Sequence, residues 1–254
     1  YSSYGNRVME GVEFKLVHNP NCTRHEGFQN MTEKTVTIPD MVATSDENGV
    51  VSFTNIPSGH EYILKEIKAP ADHKKADDVD IIVAYNEVYG APGDEGIINP
   101  IQRGTLEITK QVEGNNKFLG PFKFEIEIKF NGSPLIGKNY NYKIYNADGS
   151  EDESKAGSIS GGKGEIELSK NQKCIIENIP VGATYTLKEL TTNGYKVQYQ
   201  INEKDIETGD TATCNSSNSC RIENGSNNKV LFINTAGYIL PATGDSGMLI
   251  LVII

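Results

Sequence analysis

The chain is 254 residues long, enough for two domains that each bury a core. A formal charge of −10 and a pI near 5.0 argue against nucleic acid, because phosphate binding needs clustered Lys and Arg. Tyr, Phe, Thr, Ile and Val fall in short runs broken by Gly, Asn, Asp and Pro, and no long stretch keeps a 3.6-residue period, so the expected class is all-β.

The first strand-like segment is residues 12–16, where Val12, Phe14 and Leu16 alternate with Glu13 and Lys15. Lys15 is out of phase with the apolar positions and is expected to face away from the core. His18, Cys22 and His25 then gather metal-ligand types, but nothing nearby in sequence completes the four-ligand set of a zinc site, so no metal is expected. Residues 50–57 and 62–70 read as strand, Asn-Ile-Pro-x-Gly turn, strand, with Pro57 setting φ and Gly59 taking the bend. The same order returns at 174–180 and 185–190, where Asn178, Pro180 and Gly182 stand as Asn55, Pro57 and Gly59 do. A repeat this long suits tandem β-sandwich modules and not a solenoid.

Residues 96–99 look like the closing strand of one module and 105–112 like the opening strand of the next, which places the boundary near 99–104. Residues 122–130 alternate strictly with one apolar face, and Asn131-Gly132 then marks a tight turn. Further strands are expected at 140–145, 164–168, 194–199 and 229–234. The implied domains are 1–100, 101–237 and a C-terminal segment, 238–254. Cys214 and Cys220 bracket a polar loop that either closes into a local disulfide or holds two free thiols. Cys22 and Cys174 lie in different modules and are not paired from sequence.

The two Tyr-x-Leu-x-Glu segments, ending at Glu66 (as Tyr-Ile-Leu-Lys-Glu) and Glu189 (as Tyr-Thr-Leu-Lys-Glu), resemble the E-box of Gram-positive pilins. Their surroundings resemble the collagen-adhesin B-type (Cna B-type, prealbumin-like) domains of such proteins. The resemblance implies two tandem immunoglobulin-like or prealbumin-like β-sandwiches, the first N-terminally truncated. It also implies an intramolecular isopeptide bond between a Lys on the first strand and an Asn on the last, promoted by the E-box Glu. In the second module these positions are Lys110, Asn234 and Glu189. Leu106, Ile108 and Lys110 share one strand face, as do Phe232 and Asn234, so burial would drive Lys110 towards its neutral, nucleophilic form. The alternative is a surface Lys110, an exposed Glu189 and a terminal-loop Asn234. The first module supplies the E-box Glu66 and the candidate acceptor Asn99, but no Lys precedes Gly11 and Lys15 faces outward, so no bond is expected there.

Leu240-Pro241-Ala242-Thr243-Gly244 resembles the LPxTG sorting signal that a sortase cleaves between Thr and Gly. Pro241 keeps such a peptide extended and available. The alternative is an ordinary Pro-containing turn before a terminal strand. The apolar tail, residues 248–254, is short of the roughly 20 residues that span a bilayer. With Tyr1 first and no secretory segment, the chain is expected to be a fragment of a longer secreted precursor, touching the membrane only transiently through its tail.

These resemblances imply a cell-wall-anchored pilin subunit or pilin-like surface protein outside the cell, with no cofactor. Its partners would be a sortase and either a peptidoglycan precursor or other pilin subunits. Shaft, base and tip roles stay open, because no Tyr-Pro-Lys acceptor tripeptide appears in the chain. A second reading is a non-polymerising adhesin that contacts host matrix or glycan through its loops. An enzyme is not expected, since no nucleophile–His pairing, phosphate loop or recognisable carboxylate cluster is present.

Overall fold

The computed structural model describes residues 2, 7–23, 38–84, 96–114, 118–134, 138–214, 219–225 and 228–236. The Leu240 to Gly244 motif, the apolar tail and His25 lie outside the described residues. Among those described the chain is all β, with one short 3₁₀ turn at Glu153–Lys155 and no helix long and apolar enough to cross a membrane. It forms two compact units, Tyr1–Arg103 and Gly104–Ile254.

In the first unit β1 (Glu13–His18), β2 (Met41–Thr44), β3 (His60–Lys68) and β4 (Val79–Val83) form an antiparallel sheet in the order β2-β1-β3-β4. The alternation seen in the sequence selects the buried face. Phe14 and Leu16 from β1 meet Tyr62 and Leu64 from β3, joined by Val12 and Val83 in one apolar cluster. Lys15 points the other way and pairs with Asp40 at 2.6 Å. Residues 50–57 differ from expectation and form no strand. Asp46 Oδ1 accepts the Asn48 and Val50 N–H groups in the turn that leads into this segment, and Asn55 takes a left-handed φ of 58°. Val51, Phe53 and Ile56 still pack against the core, which is why their spacing looked strand-like.

The second unit opens with β5 (Arg103–Glu113) and β6 (Phe122–Phe130), followed by β7 (Ser133–Pro134), β8 (Asn139–Tyr145), β9 (Gly157–Ser160) and β10 (Lys163–Leu168). Then come β11 (Lys173–Pro180), β12 (Thr184–Glu189), β13 (Lys196–Ile201), β14 (Ile206–Thr208), β15 (Thr211–Ala212) and β16 (Lys229–Thr235). They hydrogen-bond in the order β14-β13-β16-β5-β11-β8-β9-β10-β6-β12-β15, with β7 paired to β6. Asn131 and Gly132 both have positive φ, 51° and 76°, the conformation a two-residue hairpin turn needs between β6 and β7.

Two features place the interior site. The last strand, β16, runs parallel to the first, β5, with Phe232 opposite Lys110 and Asn234 opposite Val112. Across the core, β6 and β12 pair with Phe124 opposite Glu189, and the Phe124 and Phe232 rings meet edge-on at 5.0 Å. The start of β5 is held close to the segment that leads into β16. A Cβ on Gly104 would lie 2.5 Å from the Glu223 carbonyl oxygen, so only glycine fits beside that backbone. Asn228 secures the same corner by accepting the Glu223 N–H and donating to the Thr105 carbonyl.

Candidate functional site

The strand faces that bury Leu106, Ile108, Phe232 and Leu187 also bury three polar side chains. Lys110 from β5, Glu189 from β12 and Asn234 from β16 are each 0% exposed. Residues distant in sequence thus converge because each sits in phase with the apolar positions of its strand.

Glu189 bridges the other two. Lys110 Nζ donates to Glu189 Oε2 at 2.9 Å, and Asn234 Nδ2 donates to Glu189 Oε1 at 2.5 Å. Asn234 Oδ1 is buried without a hydrogen-bond partner. The Lys110 ammonium lies 4.5 Å from the Phe122 ring centroid and 5.9 Å from that of Phe124. The backbone of Lys110 is clamped by the Gln172 carbonyl and the Asn171 N–H, which fixes the root of the side chain.

Burial drives the electrostatics. It pushes Lys110 down to about 8 against the opposing pull of the Glu189 charge. It pushes Glu189 up, opposed by Lys110 and the Asn234 amide. Both groups therefore move towards their neutral forms, which a desolvated pair favours. A carboxyl between an amine and a carboxamide, in a dry site, is placed to carry a proton from one nitrogen to the other. Nδ2 and not Oδ1 faces Glu189, so the carboxyl reaches the amide nitrogen, which can take a proton only once attack on the carbonyl has freed its lone pair. The sequence did not single out Phe122 and Phe124. Alternation showed that they face the core but not that they cover Lys110.

The first unit holds a related but different site. Glu66 is 6% exposed and Asn99 1%. Asn99 Nδ2 donates to both Glu66 oxygens, at 2.5 and 2.7 Å, and Glu66 Oε2 also accepts the Ala76 N–H. Beside them, buried His73 links Asp72 at 2.9 Å to the Ser2 hydroxyl at 2.8 Å, and Ser2 bridges Asn99 in parallel.

Cys214 and Cys220 are joined as a disulfide with their Cα atoms 5.0 Å apart, and Cys174 is buried. His18 and Cys22 do come together, and the residue that joins them among those described is His60. Sequence spacing could not find it, because β3 brings His60 back from 38 residues beyond Cys22.

Comparisons with known proteins follow this division. Residues 1–90 match the prealbumin-like fold domain, which bears out the resemblance to the prealbumin-like domains of Gram-positive pilins. Among solved structures, the major pilin from Streptococcus pyogenes matches with 14% identity over 92% of this chain and 94% of that one, TM-score 0.43. Another major pilin of that species shares 12% identity over 91% and 92%, TM-score 0.45. A pilus-presented adhesin shares 20% identity over 55% of this chain, TM-score 0.40, and the matched part spans 29% of that adhesin. No curated protein compared with the chain matches it. Residues 104–235, more than half of the sequence, match the family described as a domain of unknown function (DUF7601), and the chain belongs to that family.

Proposed function

We propose that this chain is a cell-wall-anchored, pilin-like structural protein whose second module is locked by an isopeptide bond between Lys110 and Asn234. The observation that carries this reading is the buried Lys110–Glu189–Asn234 site, with Glu189 bonded to both reacting groups. In the reaction the neutral Lys110 amine attacks the Asn234 side-chain carbonyl carbon. The protonated Glu189 gives its proton to the departing amide nitrogen and takes back the one released by Lys110. A new C–N bond forms, the old one breaks, and one ammonia leaves. Water exclusion by Phe122 and Phe124 keeps the amine unsolvated and the carboxyl protonated.

The crosslink would tie the first strand of the module to the last. Asn234 lies six residues before Leu240 in the sequence, so a wall anchor at the LPxTG-like motif would load a covalent bond instead of peeling β16 from β5. Other pilin subunits or a peptidoglycan precursor would accept the acyl group that a sortase leaves on Thr243.

Incubating the protein with a pilus or housekeeping sortase and an amine acceptor tests the anchoring half. Cleavage between Thr243 and Gly244 with product transfer is expected, and Thr243→Ala should abolish it while leaving the Lys110–Asn234 site intact. An uncleaved wild-type chain carrying a normal crosslink would remove the anchoring claim alone.

A further inference from the structure

In the first unit, His18, Cys22 and His60 are brought to one spot by the sheet register. His18 ends β1 opposite Tyr62 of β3, and His60 lies two residues back on the same buried face of β3. After β1 the chain turns: Asn19 N–H donates to the Glu61 carbonyl, Cys22 N–H donates to the Asn19 carbonyl, and Asn19 Oδ1 accepts the Asn21 N–H. That turn folds Cys22 back onto β3, where Sγ accepts the Glu61 N–H at 3.2 Å. The His18 and His60 rings stand edge-to-face at 5.2 Å. One donor atom from each of the three residues lies within 4.8 Å of the others, and the His18 Nε2 is buried without a hydrogen-bond partner.

We infer that His18, Cys22 and His60 form a binding site for a single transition-metal ion of the zinc class. Two imidazoles and a thiolate are borderline-to-soft ligands, which favour zinc, cobalt or copper over magnesium or calcium. In a tetrahedral site with ordinary zinc bond lengths the donors lie about 3.4–3.6 Å apart, so closure needs inward shifts of about 1 Å. Side-chain rotation of the partly exposed His18 and Cys22 supplies that movement without moving the sheet. The Glu61 N–H already points at sulfur and stabilises the thiolate that a metal requires. Three protein ligands leave the fourth position for water or an outside ligand. The ion would pin the turn after β1 to the start of β3, the strand that carries the E-box residues Tyr62 to Glu66.

Titrating the full chain with Co²⁺ under argon, with the Cys214–Cys220 disulfide left intact, tests this directly. A thiolate-to-cobalt charge-transfer band that saturates at one equivalent and is bleached by Zn²⁺ is expected. Cys22→Ser should remove the band and Cys174→Ser should keep it. His18→Gln and His60→Ala should each weaken binding by at least the roughly 10–100-fold that loss of a ligand's outer-shell partner costs. His18→Gln covers the case in which loss of the buried His60 ring unfolds the unit. No band in the wild-type chain, or one that survives Cys22→Ser with unchanged affinity, would overturn the assignment.

Discussion

Two buried glutamates occupy matching places in the two modules, and they keep different company. Glu189 bridges an amine and an amide, whereas Glu66 bonds the Asn99 amide through both oxygens and takes a backbone N–H besides. The E-box fixes the carboxyl. On the reading proposed above, what decides its chemistry is whether the strand beside the asparagine carries a lysine in phase. In the second module Lys110 lies two residues before Val112, the partner of Asn234. In the first, Ser2 partners Asn99, so the corresponding position is one step ahead of Tyr1.

The hardest break in this comparison is Lys110→Ala. It should abolish ammonia loss and open a covalent loop of more than 100 residues, worth about 4–5 kcal/mol by the chain-entropy estimate for crosslinks. Removing the lysine also leaves the buried Glu189 carboxyl without the Lys110 nitrogen as a partner, which adds to the loss. Urea unfolding of wild-type and variant chains reads the difference. The opposite experiment appends one Lys directly ahead of Tyr1. If the register argument is sound, the first module gains a bond, the mass falls by a second ammonia, and stability rises by up to about 4 kcal/mol. An unchanged mass in that extended chain would show that register alone does not make the site.

Glu66→Ala is expected to cost about 1–3 kcal/mol, because it strands the buried Asn99 amide and the Ala76 N–H. It should leave the intact mass where it was, whereas Glu189→Ala should impair ammonia loss.

The Asn234→Ala chain keeps Lys110 and Glu189 unlinked, so its stability should follow their titration. Lys110, pushed down to about 8, holds fewer protons when folded than when unfolded, so stability should rise as pH climbs from about 8 towards 10.5. Glu189, pushed up from 4.5, holds more protons when folded, so stability should fall as pH rises from 4.5 through its raised value. Denaturation at a series of pH values should show a minimum between the two, and a flat profile would contradict the burial of an uncompensated pair. The smallest effect belongs to Lys15→Ala, within about 0.5 kcal/mol, because the Asp40 pair is more than a third exposed on both sides.

The strands around the second site were legible because their apolar positions alternate so strictly. Residues 105–112, 122–130 and 229–234 fall within β5, β6 and β16, and the parity that grouped Lys110 with Ile108 and Asn234 with Phe232 is the parity seen in the fold. The short strands β2, β14 and β15 were not legible, because two to four residues carry too little period to separate from a loop. Residues 50–57 misled because apolar spacing reports burial and not pairing. His60 escaped because contact between strands of one sheet has no sequence period at all. The parallel pairing of β5 with β16 is equally non-local, so which first-strand residue meets which last-strand residue had to come from the register.

Intact mass spectrometry of the folded wild-type chain bears most directly on the central claim. With the Cys214–Cys220 disulfide accounted for, the mass should fall short of the sequence mass by one ammonia. The deficit should disappear in Lys110→Ala and in Asn234→Ala. A folded wild-type chain with no ammonia deficit would contradict a crosslinked second module.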